Sequence, residues 1–311
     1  LYRLRETLFS SYTERDGLSG DYVRTVFEDR DRRLWVGSAS GLDQQTADGR
    51  FRPMVLHNRG GKAASVLSLA QDPGGDLWVG TFGDGVYRLR ADGSLRHNYD
   101  AADGMPGGNI RAISVDPSGV VWAGTQKGVV RIDGDRVRVA NTPGMPNGLI
   151  TALEHDHQGN LWIGTIEGIR VLRGDHVQSI DLAPMGGGRS VFGFHQIGEA
   201  MWISSDRGLY RWYKNRLSRV GLEQGMPVDA VFQLVPDRLG NVWISSNRGV
   251  LRTDMATLNA VADGRAPRVT VERYNEIDGM DNAQANGSSA PSAILRQDGT
   301  FWVVTAGGLS T

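Results

Sequence analysis

The residues with chemistry to offer are six histidines, a scatter of arginines and a few glycine-rich turns. His155-Asp156-His157 is the densest group of metal-type ligands, yet it fills a turn column in which other copies carry Val115-Asp116-Pro117 and Pro236-Asp237-Arg238. It therefore reads as a turn, since a zinc site needs further ligands that converge. His57, His97, His176 and His195 stand singly, which gives no basis for a zinc site or a catalytic triad. Gly60-Gly61-Lys62 lacks the full phosphate-loop spacing and leads into a strand rather than a helix. Gly186-Gly187-Gly188-Arg189 can shape an anion-binding concavity or serve as a connector. Asn286-Gly287-Ser288 is a formal glycosylation sequon. No acid or base stands out as a catalytic group, so no catalytic residue, metal or cofactor is expected.

The balance of 34 Lys+Arg against 35 Asp+Glu leaves a net charge of −1. That excludes a basic stripe for nucleic acid and a polybasic membrane anchor. No apolar run approaches the ~18 residues of a membrane span. Cysteine is absent, which removes disulfides and thiol chemistry. The chain opens on Leu1-Tyr2-Arg3 without a Met or a signal-peptide pattern and reads as a piece of a longer protein.

What must position any site is an internal repeat. Trp35, Trp78, Trp122, Trp162, Trp202, Trp243 and Trp302 share one context at spacings of 43, 44, 40, 40, 41 and 59 residues. Upstream of most lies a turn such as Asp72-Pro73-Gly74-Gly75 or Asp156-His157-Gln158-Gly159. Asp accepts local backbone hydrogen bonds there, and Gly supplies the positive φ that closes a hairpin. Each Trp is followed by a small-residue segment, as in Trp78-Val79-Gly80-Thr81, and then by a second turn glycine at 41, 85, 128, 168, 208, 249 and 308. Before the Asp turn runs an apolar inner strand with one mostly small position: Thr25, Ser68, Ala112, Ala152, Gly193, Gln233 and Ser292.

A period near 40 with four short strands per unit is the pattern of a β-propeller blade. We expect an all-β, seven-bladed β-propeller of four-stranded antiparallel blades over residues 1–311, closed by an N-terminal strand. Leu1-Tyr2-Arg3-Leu4-Arg5 resembles Val86-Tyr87-Arg88-Leu89-Arg90 and is the expected closing segment, although Leu309-Ser310-Thr311 aligns to the same third strand. The last interval carries an insertion at about 253–268 that reads as one short helix, capped by Thr253 or Asp254, with Met255, Leu258 and Ala262 on one face. Met105, Met145, Met226 and Met280 are expected to plug interblade connections, and Trp212 to form an exposed contact.

The segment Asp76-Leu77-Trp78-Val79-Gly80-Thr81 followed by Gly85-Val86-Tyr87-Arg88 resembles the two-component regulator propeller repeat, as do the connectors Asp103-Gly104-Met105-Pro106 and Asp278-Gly279-Met280. The resemblance covers nearly the whole chain. It implies the periplasmic, ligand-sensing input of a bacterial hybrid histidine kinase or diguanylate cyclase.

Topology places the connector into each inner strand and the turn after each Trp strand on one face, where loops on a rigid scaffold carry function. The expected ligand contacts are Tyr22, Arg24, Phe82, Asn109, Arg111, Lys127, Arg189, Phe192, Arg207 and Arg248, with Asp229 nearby. Their positive character suits an acidic sugar or other small anion. The expected partner is a small molecule or carbohydrate, perceived by a module that leaves room for a homodimer, with no nucleic acid and no membrane insertion. A propeller lyase or glycosidase and a passive interaction ring stay open as alternatives.

Overall fold

In a computed structural model, which describes residues 8–58 and 60–311, the repeat becomes seven four-stranded antiparallel sheets. Blade 1 comprises Val23–Glu28, Leu34–Ser38, Gly41–Gln45 and Phe51–Met54, and blades 2 to 6 repeat this order. Blade 7 takes Ala293–Leu295, Phe301–Thr305 and Gly308–Ser310 from the end of the chain and Ser11–Tyr12 from its start. Ser11 pairs with Ser310 and Tyr12 with Leu309, so the ring is fastened by strand pairing. Tyr12 stacks on Trp302 at 5.3 Å.

Two expectations change here. The closing strand is Ser11–Tyr12 in the outermost position, whereas Leu1 to Arg5 lie outside the described residues. The C-terminal residues keep the third-strand place because their hairpin with the Trp strand is local. Trp212, expected as an exposed contact, packs half-buried with Leu217 against the cluster around Trp162 and Tyr210.

The repeat motif explains the blade. A Thr or Ser hydroxyl at the end of each Trp strand donates to the carbonyl of the turn glycine, as from Thr81 to Gly85 at 2.8 Å and Ser246 to Gly249 at 2.7 Å. Gly85 sits at φ +77°, and a Cβ there would meet the Tyr99 carbonyl oxygen at 2.1 Å. The blades press together through Gly80, where a Cβ would come within 2.7 Å of the Ile110 carbonyl oxygen in the next blade. The small inner positions do similar work: Ser68 donates to Ile110 O at 2.9 Å and Thr25 to Pro291 O at 2.9 Å.

The helix of the insertion, α1 (Met255–Ala262), is capped by Asp254, whose Oδ1 accepts the Thr257 N–H at 2.8 Å. It buries Leu258, Val261 and Ala262 against the outer part of blades 5 and 6. The rest of the long last interval does something the sequence did not show. Residues 285–291 cross the axis as a strap: Ala285 N bonds Ser246 O in blade 6, Leu69 N bonds Ala290 O in blade 2, and Val26 N bonds Pro291 O in blade 1.

Candidate functional site

Five inner strands begin with a register shift, at Val23/Thr25, Val66/Ser68, Ile150/Ala152, Val191/Gly193 and Val231/Gln233. A β-bulge re-aims the residue it leaves unpaired. The residues so freed are Arg24, Leu67, Thr151, Phe192 and Phe232, and Arg111 holds the same place in blade 3. This row divides the axis into a polar side and an aromatic side.

On the polar side Tyr22, Arg24, Leu67, Phe82 and Arg111 meet the strap residues Asn286, Gly287 and Ser289 around a mouth cavity of about 170 Å³. Arg24 lies over the Tyr22 ring at 5.4 Å and donates to Ser65 Oγ at 3.2 Å. Arg111 donates to the Ser288 carbonyl at 3.0 Å. Neither guanidinium forms an ion pair among the described residues. Burial and the neighbouring Arg24 charge together push the Arg111 guanidinium below its ordinary pKa. Tyr22 and Phe82, 47% and 52% exposed, stand at the rim as open aromatic faces.

The other expected contacts fall elsewhere. Asn109 braces Phe82 through a backbone bridge and bonds Gln126. Lys127, Arg207 and Arg248 are exposed on second turns, their backbone N–H groups held by Thr125, Ser205 and Ser246, and none of their side chains lines the mouth. Asp229 enters by its backbone carbonyl, which accepts the Gly208 N–H. Arg189 is exposed, and the concavity beside it is already filled: Asp206 Oδ1 accepts the N–H groups of Arg189 and Ser190 at 2.9 and 3.1 Å. Phe192 lies edge-to-face with Phe232 at 5.1 Å and lines a separate lower channel. A Cβ on Gly287 would approach Phe232 within 2.3 Å, so the strap rests directly on this aromatic pair.

The strap contributes Asn286 and Ser289, both buried; sequence reasoning sees in Asn286 only the first residue of a formal sequon and does not single out Ser289. The only hint was the 59-residue last interval. His155 bonds Ser114 Oγ through Nδ1 at 2.8 Å, and burial pushes its pKa down. Asp156 is engaged by the backbone of its own turn. No group of three His, Cys, Asp or Glu among the described residues is placed to hold a metal. A larger cavity of about 570 Å³ lies between blades 6 and 7, away from the axis, where Asp237 accepts from Trp243 and Arg252 lies over the Trp243 ring at 5.4 Å.

The blade geometry and the repeated Trp-strand motif define a seven-bladed β-propeller. Residues 17–40, 60–83, 104–127 and 144–167 match the two component regulator propeller family. No curated protein matches the sequence. Among solved structures, the fold is similar to extracellular domains of two proteins described as hybrid two component systems from B. thetaiotaomicron. One has TM-score 0.80 and 17% identity over 98% of this chain, the other TM-score 0.77 and 14% identity over 98%. This chain spans about two fifths of their length, 41% and 39%. It is similar as well to a catalytically inactive virginiamycin B lyase from Staphylococcus aureus with quinupristin, at TM-score 0.74 and 13% identity over 98% of both chains. At these identities the likeness is one of fold. No helix among the described residues is long and apolar enough to cross a membrane.

Proposed function

We propose that this chain is the extracytoplasmic, periplasmic ligand-sensing domain of a bacterial membrane-bound signalling protein, of two-component or cyclic-di-GMP type. Its ligand is a small molecule that presents a carboxylate, such as the acidic end of an oligosaccharide, to the axial mouth. The observation that carries this reading is the pair Arg24 and Arg111, brought together at the starts of two inner strands, Arg24 on a bulge and Arg111 just before its strand, with no carboxylate to neutralise them. Guanidinium groups so placed hold carboxylates by charge-assisted hydrogen bonds. The exposed Tyr22 and Phe82 rings at the rim offer flat faces for a sugar ring.

The size of the mouth, about 170 Å³, lies below the ~300 Å³ of an ordinary ligand pocket, so only one end of an oligosaccharide enters. Neither a histidine nor a carboxylate lines it, which supports binding over acid–base catalysis. The repeat family and the extracellular domains of similar fold support the signalling context.

Calorimetry with D-galacturonate tests the site, with D-galactose as the neutral control. Galacturonate should bind and galactose should bind at least tenfold more weakly, and Arg24→Ala with Arg111→Ala should abolish the difference while the ring stays folded by circular dichroism. Equal affinity for the two sugars, or no binding of either, rejects the acidic-ligand reading.

A further inference from the structure

Below the Phe192–Phe232 pair the axis opens into a channel of about 280 Å³, walled by inner strands of six blades and by Ala290 and Pro291 of the strap. Its lining holds one charged residue, Glu154. The polar groups around it differ in whether they are already engaged. Gln71 accepts the Arg30 N–H and donates to Gly75 O. Ser114 is bonded to His155. The Glu154 carboxylate and the Gln233 side-chain amide make no hydrogen bond among the described residues.

Glu154 is exposed to water along the channel, and the inner strands that wall it displace part of the carboxylate's water. With no partner to offset it, this dehydration pushes its carboxyl up to about 7. The histidines nearest in sequence and on the next inner strand, His155 and His195, are both pushed down by burial and stay neutral above pH 7. At pH 8 the channel therefore carries a single uncompensated negative charge beside the half-buried rings of Phe27 and Phe192.

We propose that this channel is a second ligand site, distinct from the mouth, which takes a small organic ammonium ion with its nitrogen at Glu154 and the Gln233 amide oxygen and its apolar body against Phe27 and Phe192. One carboxylate and one amide fall short of the six to eight oxygens that Ca²⁺ requires. An ammonium group donates to only a few acceptors and gains from aromatic faces, which attract cations. The volume sits just under the ~300–1,000 Å³ of drug-sized pockets, which matches a small amine.

The test is a calorimetric titration of this chain with phenethylammonium chloride at pH 8, with 2-phenylethanol as the neutral probe of the same shape. Phenethylammonium should bind and the alcohol should bind at least tenfold more weakly. Glu154→Gln should lose at least tenfold in affinity, and Phe192→Leu should weaken binding as an independent variant. Lowering the pH from 8 to 6 should weaken binding by about tenfold, because a carboxyl titrating near 7 passes from mostly ionised to mostly protonated. The Arg24→Ala and Arg111→Ala variants should bind the amine unchanged, which separates this site from the one in the mouth. No binding up to about 10 mM, a level at which even millimolar affinity shows, overturns the proposal. So does equal affinity of Glu154→Gln, or of the alcohol.

Discussion

The indole Nε1–H of Trp35 donates to Asp29 Oδ2 at 2.8 Å, across the turn that joins the first two strands of blade 1. The same bond, over the same six-residue separation, joins Trp78 to Asp72 at 2.9 Å, Trp162 to Asp156 at 3.0 Å and Trp243 to Asp237 at 3.2 Å. The turn Asp thus does two things at once: it folds the hairpin through backbone N–H groups and holds the core tryptophan of its own blade. In blade 3 the Trp122 indole lies in reach of Asp116, yet its Nε1–H is not aligned for a hydrogen bond. Blade 5 has Gln196 in that place, and the Trp202 Nε1–H is left without a partner.

Asp156→Ala is expected to lower stability by about 3 kcal/mol. The carboxylate accepts from Gln158 N at 3.0 Å, Asn160 N at 2.8 Å, the Asn160 amide at 2.8 Å and Trp162. Removing it strands the buried Trp162 Nε1–H and the part-buried donors of the turn, a buried donor costing on the order of 1–3 kcal/mol, and rewetting of the turn returns some of the loss. Urea unfolding followed by tryptophan fluorescence measures the change. A loss under about 0.5 kcal/mol, the scale of an ordinary surface substitution, would show that the turn folds without its carboxylate.

These clasps set the acid limit of the ring. Burial raises the carboxyl pKa values of Asp116, Asp156 and Asp237, but the hydrogen bonds they accept outweigh it and hold all three below the ordinary 3.8. A carboxylate depressed in the folded state adds stability that is fully present above its unfolded pKa and is lost as pH falls through the folded value. The urea midpoint should therefore hold nearly level in these groups' contribution down to about pH 4 and drop steeply below it. Asp156→Asn should flatten part of that drop, and an unchanged acid slope would remove this carboxylate from the account.

Gly80→Ala tests how closely the blades are pressed. The added methyl would meet Ser68 Oγ at 2.2 Å and the Ile110 carbonyl at 2.7 Å, and the second of these is backbone that cannot step aside. Overpacking of this kind costs about 1–3 kcal/mol. Gly148→Ala, where nothing lies within 4 Å, is the control and should change little. Equal melting temperatures for the two variants would mean that adjacent blades slide apart at no cost.

What the sequence made legible was what is local. Trp35 and its six counterparts, the turn glycines and the Asp254-capped helix each depend on residues within one hairpin or one helical turn, so spacing and residue type were enough. The mouth was legible only in part, because a bulge is a property of a strand pair. Arg24 and Arg111 lie where register shifts or ends, and Lys127, Arg207 and Arg248 sit one hairpin away on turns that do not reach the axis. The strap was hidden for a different reason. Asn286 and Ser289 bond to blades far away in sequence or face them, and nothing in Asn286-Gly287-Ser288 announces its route across the ring.

A double-mutant cycle tests whether the strap is seated on the aromatic pair. Gly287→Ala forces a methyl against Phe232 and should destabilise the protein by about 1–3 kcal/mol. Phe232→Ala alone should cost a similar amount through the cavity it opens, whereas the double variant should be less unstable than the sum. A coupling of about 0.5–3 kcal/mol is the range for residues in contact. Strict additivity, read from urea unfolding of the four proteins, would show that Gly287 and Phe232 do not touch.

Glu154→Gln should stabilise the ring, and by an amount that depends on pH in a direction opposite to that of the turn aspartates. The Glu154 carboxyl titrates at about 7 when folded against an ordinary 4.5, so the folded state holds its proton more tightly than the unfolded one. Between those two values stability falls as pH rises, because the partly dehydrated carboxyl must ionise without a partner. Near pH 4.5 the folded wild type is protonated and behaves as the amide does, so the two proteins should unfold nearly together. Above pH 7 the variant should be more stable on the order of 1 kcal/mol, a figure held low because water in the channel screens the charge. Urea midpoints at pH 5 and pH 8 give the comparison. A difference that is the same at both values, or larger at pH 5, would place the Glu154 carboxylate in open solvent rather than inside the axial channel.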